Sequence, residues 1–415
     1  MKDKKVKKGH CVNEKTLLVS IDLGKGTHYG YLRGPKGEEI GVFPIKNRLR
    51  EYNEFYRKMV KYMELWGLEE IVVGYESSGP YGEPLVQYLF GKGVGVVQVN
   101  PLHTKRVKEL TGNSPNKTDM KDPRVIADVM ILGHALSVII PTGPSAELRR
   151  LTQARERAVE KQTATVNQLR QVVYVIFPEW EDIFQDINCK SSRELLKHYP
   201  TPEEVAQLGV RKLANFLHQG SRGRIGKERS EALYVAARES VGIREGLEAM
   251  KCEIGFLVKE LEQFEEYIAQ LEKRMEVCLQ KIPYSRSILS VKGIKTVTAA
   301  GLIGEVGDFQ AFHSSKELLK LAGLNLYEVS SGIHRGEKHI TKRGRSLLRK
   351  ILYCVLLNMV KPGGTMHDTY QAALDRGKSR TSALVMISRK LLKILFALVH
   401  NHSVYQVQYS VRLAA

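Results

Sequence analysis

After a short basic arm the chain enters an apolar run, Leu17 to Asp22, which reads as a buried strand ending on a carboxylate. A glycine-bearing turn follows (Gly24, Lys25, Gly26), and Thr27 to Leu32 reads as the returning strand of a hairpin. Ile40 to Ile45 forms a third short strand. Apolar residues at Leu49, Tyr52, Phe55, Tyr56, Met59, Val60 and Met63 then recur near the 3.6-residue period of a helix. Ile71 to Glu76 is another buried strand that ends on an acid. Gly79 to Phe90 contains a helix, and Val94 to Val99 alternates as a strand closed by Asn100-Pro101. Helical segments run from there to about Leu136. A three-strand meander followed by helix, strand, helix, strand and helix predicts a mixed sheet with helices on its faces.

Pro141 to Pro144 breaks the chain, and Ser145 to Ile176 reads as helix. The stretch 179–246 suggests no chemistry beyond a basic loop, GSRGRIGKERS. Apolar residues then recur in alternating steps of four and three: Ile243, Leu247, Met250, Ile254, Leu257, Leu261, Phe264, Ile268, Leu271, Met275, Cys278 and Ile282. This heptad seam predicts a coiled coil, with a long helix packed inside its own domain, or paired antiparallel with the 145–176 helix, as the alternatives. Beyond it, LSVKGIKTVTAAGLIGEVGDF reads as half of a helix-hairpin-helix, whose glycine hairpin offers backbone N–H groups to a phosphate. Lys295 stands where such motifs usually carry a second glycine, and an ordinary helical turn is the competing reading. Leu347, Leu348, Ile351, Leu352, Val355 and Leu356 mark a core helix, and Ala383 to Val399 another. The expected organisation is α/β plus α: a first domain over 15–140, a helical middle over 145–282 with an insert at about 179–246, and a mostly helical C-terminal domain over 283–400.

Charge adds a partner. The 415 residues carry 64 Lys and Arg against 45 Asp and Glu, a net charge of +19, which favours a polyanion, foremost nucleic acid. Between Ile333 and Lys393 the bias sharpens to 14 basic against three acidic residues. The cluster Lys342, Arg343, Arg345, Arg349, Lys350 with its glycines Gly332, Gly336 and Gly344 marks the expected phosphate-binding region. No run approaches the roughly 20 apolar residues of a membrane span, so no membrane is expected. The basic N-terminus lacks the apolar segment of a signal peptide. Five scattered cysteines without a C-x-x-C pair fit reduced thiols in the cytoplasm.

The chemistry sits on acids. An aspartate at the end of an apolar strand is costly unless its charge is needed there; a turn aspartate capping the hairpin is the bland alternative for Asp22. If the strands of Asp22 and Glu76 are neighbours, both carboxylates emerge at one sheet edge. Asp119 and Asp122, in NKTDMKDPRVIADV, are three apart and share one face of a helical turn, where they repel unless a cation lies between them. Helix N-terminal acids facing the macrodipole, with Pro123 in the first turn, are the competing account. Asp128 falls about a turn and a half further on and is left out of the set. Four carboxylates suit two Mg²⁺ ions, with Mn²⁺ as a substitute, and a metal pair about 4 Å apart serves in-line phosphoryl displacement.

The strand-end Asp22, Glu76 in YESSGPYGEPL, and the pair in KTDMKD resemble the Asp-Glu-Asp-Asp signature of the insertion sequence one-ten transposases, relatives of the Piv and MooV invertases. Pro123 stands where that family commonly has alanine. The resemblance implies a RuvC-like ribonuclease-H fold for the first domain, with Asp22, Glu76, Asp119 and Asp122 as the metal-binding quartet. Ser330-Ser331-Gly332 taken alone is a turn. Followed by a TKRG-x-x-x-LR stretch, it is similar to the family's second conserved region, where a serine before glycine forms a covalent phosphoserine with DNA. Carried over, that serine is Ser331, with Ser330 its rival. The resemblance further implies donor and target DNA, a non-coding bridge RNA as guide, and a coiled-coil segment joining the two domains. With the seam, it points to a homodimer or homotetramer working in the bacterial or archaeal cytoplasm with the nucleoid. The 179–246 insert exceeds a minimal family linker. Expected phosphate contacts are Lys295, Lys342, Arg343, Arg345 and Arg349.

Three other readings stand beside it. A Holliday-junction-type endonuclease would keep the acids and use water instead of serine. An actin-like ATPase or sugar kinase is suggested by IDLGKGT, which resembles a first phosphate loop, but a second strand-Asp-Gly loop and an adenosine loop are missing from the sequence. A non-catalytic RNA- or DNA-binding protein would need none of the acids.

Overall fold

A computed structural model describes residues 12–76, 79–111, 122–137, 140–221, 226–331 and 334–406. The chain divides into two compact units, Met1–Ile140 and Pro141–Ala415.

The first unit is built on a sheet of six strands in the order β3-β2-β1-β4-β5-β6. They are β1 (Thr16–Asp22), β2 (Thr27–Arg33), β3 (Glu39–Lys46), β4 (Glu70–Glu76), β5 (Gly95–Val99) and β6 (Ala135–Ser137). The meander β1-β2-β3 is antiparallel, β1, β4 and β5 run parallel, and β6 returns antiparallel on the edge. The helices are α1 (Leu49–Leu65), α2 (Glu83–Gly91), α3 (Pro101–Thr111) and α4 (Asp122–Ile131). Parallel strands covered on both faces read as near-continuous apolar runs, which is why β1 and β4 show little alternation. Side chains nevertheless alternate between two cores. Leu17, Val19, Ile21 and Val73 pack with Tyr52, Phe55, Met59, Leu85 and Leu89 of α1 and α2. Leu18, Val72, Val97 and Val99 pack on the opposite face with Val125, Ile126, Val129 and Met130 of α4. The helix expected to run to Leu136 is shorter: α4 ends at Ile131, and a three-residue edge strand follows. Its brevity leaves too few residues for a periodic signal.

Among the described residues, the regular structure of the second unit is helical apart from one hairpin. Two long helices, α5 (Gly143–Ile176) and α11 (Leu247–Gln280), lie against each other. Cross-links Arg155–Glu272 (2.7 Å), Thr165–Glu260 (3.2 Å) and Gln168–Glu253 (2.8 Å) fix the pair as antiparallel. Much of the heptad face of α11 (Ile254, Leu257, Leu261, Leu271 and Met275) is thus buried within the chain, while Ile243 precedes the helix and is half exposed. Between the long helices, α6 (Trp180–Ile183), α7 (Lys190–His198), α8 (Pro202–Leu208), α9 (Val210–Ser221) and α10 (Lys227–Glu239) gather around a core holding Phe177 and Trp180, both fully buried. The 179–246 stretch is therefore a helical subassembly seated on the α5–α11 pair.

Past α11 come α12 (Ser285–Leu289), α13 (Thr296–Val306), α14 (Ser315–Leu321), the hairpin β7 (Leu326–Ser331) with β8 (His334–Ile340), then α15 (Ser346–Met359), α16 (His367–Asp375) and α17 (Arg380–His400). The two apolar stretches expected as core helices are α15 and α17. Among the described residues no helix is long and apolar enough to cross a membrane.

Candidate active site

β1 and β4 pair in parallel with Ser20 opposite Gly74 and Ile21 opposite Tyr75. One further step of that register sets Asp22 beside Glu76, on strands about 4.8 Å apart and with both side chains on the same face. The strand-end acids expected from sequence are therefore neighbours at one end of the sheet, and both are partly exposed. The face they share is the one covered by α3 and α4.

Two contacts seat α4 on that face, one at its start and one near its end. The Ser20 hydroxyl, fully buried and two residues before Asp22 on the same face, donates to the Pro123 carbonyl at 2.6 Å. Gly74, two residues before Glu76, lies directly under α4: a Cβ there would sit 2.1 Å from the Met130 sulfur. The lack of a side chain lets the helix settle on the strand. Asp122 is the first residue of α4, so this seating carries its carboxylate toward the strand-end acids. Asp119 lies outside the described residues.

Helix α3 faces the same acids. It begins on Asn100, whose side chain accepts from the Leu102 N–H at 2.9 Å, with Pro101 at its first position. The Thr104 hydroxyl, buried, reaches Glu76 Oε2 at 2.6 Å and lies 2.9 Å from the Pro101 carbonyl. A hydroxyl has one proton to give, and a carboxylate takes it in preference to a carbonyl. One turn on, the Lys108 ammonium pairs with Asp122 Oδ1. Asp128, set aside on spacing, pairs with Arg33 of β2 at 3.0 Å. Among the described residues no three Asp, Glu, His or Cys side chains gather closely enough to hold a metal ion. The donors at this edge are nonetheless all carboxylate oxygens, the hard ligands that Mg²⁺ and Mn²⁺ prefer.

Sequence reasoning missed Ser20, Thr104 and Lys108. The signals were present: Ser20 interrupts an apolar strand two residues before the acid, and Thr104 and Lys108 stand four apart on the helix preceding KTDMKD.

In the second unit, Ser330 pairs with Arg335 and Ser331 with His334 at the closing end of the β7–β8 hairpin. Gly332 lies outside the described residues. The basic residues separate into two groups. Arg349, half-buried, donates to the carbonyls of Ala322 (2.9 Å) and Gly344 (3.2 Å), and burial lowers the pKa of its guanidinium. Arg345 donates to the Glu305 carbonyl. Together these two tie the 341–345 loop and the start of α15 to the ends of α13 and α14. Lys342, Arg343 and Lys295 keep exposed side chains, Lys295 at the N-cap of α13. Lys342 has a φ of 52°, the left-handed region that costs a side-chain-bearing residue about 1 kcal/mol. Its N–H donates to the Gly323 carbonyl at 3.0 Å, which helps hold it there.

A mixed sheet with acids at one edge, in a chain whose other unit is helical and basic, describes a nucleic-acid-processing enzyme, and comparison with known proteins makes the class definite. Residues 19–178 match the family model of the DEDD transposase of IS110, described as transposase, and residues 285–371 match that of the transposase IS116/IS110/IS902 family. The chain is a DNA-cutting transposase, and its mixed sheet is consistent with a ribonuclease-H-like fold. It belongs to the IS110 family. Over 393 residues it is 24% identical to the insertion element IS110 uncharacterized 43.6 kDa protein of Streptomyces coelicolor, covering 94% of this chain and 95% of that one. It is 25% identical to the insertion element IS116 uncharacterized 44.8 kDa protein of Streptomyces clavuligerus, over 94% and 96% of the two chains. Against the transposase for insertion sequence element IS1111A of Coxiella burnetii the identity is 23%, over 76% of this chain and 74% of that one.

Proposed function

We propose that the chain cuts and rejoins DNA with divalent cations held by Asp22, Glu76, Asp119 and Asp122 and with Ser331 as the nucleophile. The observation that carries the acid half is the in-register juxtaposition of Asp22 and Glu76, with α4 tied to the same face through Ser20. When bound, Mg²⁺ or Mn²⁺ at these oxygens neutralises charge at the scissile phosphate and lowers the pKa of an attacking hydroxyl.

The chain's own groups do the rest. Thr104 orients Glu76 through Oε2 and leaves Oε1 for coordination. The Ser331 oxygen attacks phosphorus and loses its proton. One phosphorus–oxygen bond to a sugar breaks, and the departing sugar oxygen gains a proton. The resulting phosphoserine retains the phosphodiester's free energy until an incoming sugar hydroxyl attacks it and restores the serine. Lys342, Arg343 and Lys295 contact phosphates, while Arg345 and Arg349 hold the loop that presents the first two. A non-coding bridge RNA as guide and a homodimeric or homotetrameric assembly belong to the same proposal; the surplus of basic residues supports an RNA as well as a DNA partner.

The test is a denaturing gel of the full chain with its element's end DNA and flanking non-coding RNA. A covalent protein–DNA adduct is expected for wild type and for Ser330→Ala, none for Ser331→Ala, and neither adduct nor cut DNA for Asp22→Asn. A wild type that cuts without an adduct, alongside a Ser331→Ala that cuts equally well, would establish the hydrolytic endonuclease reading instead.

A further inference from the structure

Helix α3 turns two side chains, one turn apart, toward the acids: Thr104 to Glu76 and Lys108 to Asp122. The second contact is not the usual surface ion pair. The Asp122 side chain is only 17% exposed, and a carboxylate so placed is costly unless its charge is met. Asp22 and Glu76 concentrate further negative charge at the same sheet edge. The group that answers Asp122 is an ammonium on a flexible four-carbon stem, and the Lys108 side chain as a whole remains 37% exposed, so it has a path back to water. Asp128, outside the proposed quartet, pairs instead with the planar guanidinium of Arg33 on a strand.

We infer that Lys108 is a resident counter-cation for Asp122, which neutralises the acid in the metal-free chain and withdraws when a divalent cation takes its place. This rests on Asp122 being a metal ligand. The ammonium and the metal compete for the same carboxylate, so Lys108 weakens metal affinity while it stabilises the metal-free enzyme. It is a positioning residue that tunes when the site loads, not a catalytic one.

The experiment is calorimetric titration of the full chain with Mn²⁺ alone, without nucleic acid. Lys108→Met and Lys108→Gln remove the competitor and are expected to bind Mn²⁺ about fivefold tighter. That corresponds to ~1 kcal/mol, the upper end for a pair whose lysine is open to solvent. Lys108→Arg, which keeps the charge, is expected to stay within about twofold of wild type. The metal-free Lys108→Met protein is also expected to melt earlier, and Mn²⁺ to raise its melting temperature by more than it raises that of wild type. Affinity in both neutral variants equal to or weaker than wild type overturns the inference, as does unchanged Mn²⁺ affinity with weakened DNA binding, which would make Lys108 a phosphate contact. Asp122→Asn separates the two levels. If it binds Mn²⁺ as wild type does, the ligand role of Asp122 and the inference both fall. If it loses affinity while the Lys108 variants are unmoved, only the role of Lys108 falls.

Discussion

Ser20→Ala tests whether the seating of α4 on β1 is what delivers Asp122. The serine is fully buried, and the hydrogen bond of its hydroxyl, 2.6 Å to the Pro123 carbonyl, joins residues 103 apart in sequence. The magnitude follows from what is left behind. A carbonyl has two lone pairs, and α4 supplies Pro123 with its own i+4 N–H, so removing the hydroxyl does not orphan the oxygen. The loss is therefore one neutral hydrogen bond, about 1 kcal/mol, rather than the larger penalty of a stranded buried group. That corresponds to roughly a fivefold rise in opening of the first turn of α4. Hydrogen–deuterium exchange with peptide-level mass spectrometry reads this directly and avoids treating a chain of two units as one two-state transition. Amides of the 122–131 segment should exchange about fivefold faster in Ser20→Ala while α11 is unchanged. Mn²⁺ affinity should fall with them, because a loosened helix start holds its carboxylate less well. Exchange in 122–131 within twofold of wild type, or faster exchange without any change in metal affinity, would refute the link between Ser20 and the site.

Three further outcomes follow from the same contacts. Thr104→Val, close to isosteric, should raise the Mg²⁺ concentration needed for half-maximal cutting about tenfold, while Thr104→Ser retains it; equal requirements in all three would remove the orienting role of the hydroxyl. His28 is fully buried with Nε2 on Asn47 Oδ1 at 2.6 Å, and burial, outweighing that hydrogen bond, lowers its pKa from the ordinary 6.5. The unfolded chain then binds more protons, so the His28 contribution is complete above pH 6.5 and is lost as pH falls from there toward the lowered folded value. Protection of the β2 amides, with exchange rates corrected for their intrinsic pH dependence, should fall on acidification below pH 6.5 in wild type, and less so in His28→Gln. At Gly344 a Cβ would lie 2.4 Å from both Leu321 O and Gly323 N, rigid backbone that cannot yield locally. Gly344→Ala should lift the 341–345 loop at a cost of about 2 kcal/mol, read as faster tryptic cleavage after Lys342 and Arg343.

The apolar runs ending at Asp22 and Glu76, and the 3.6-period stretch of α1, were legible because period and length alone separate strand from helix. The hairpin of β7 and β8 was not. YEVSS and HRGEKHI carry no apolar alternation, and a two-stranded ribbon outside the main sheet needs none. The heptad seam of α11 announced a helix that buries one face, and an antiparallel helical partner in the same chain satisfies that need as fully as a second subunit would.

What the sequence by itself determined is that Asp22 and Glu76 close two apolar strands, the alternation of strand and helix around them, and the family. Each is carried by local pattern, within a few turns or one strand of the residue concerned. Only the tertiary structure decided that Asp22 and Glu76 stand side by side, that Ser20 and Gly74 seat α4 on their face, and that Thr104 and Lys108 come from one turn of α3 to meet two different acids. Those facts depend on strand register and helix docking, which bring together residues 14 to 103 positions apart. Short-range periodicity says which face a side chain takes, but not which distant side chain will face it there.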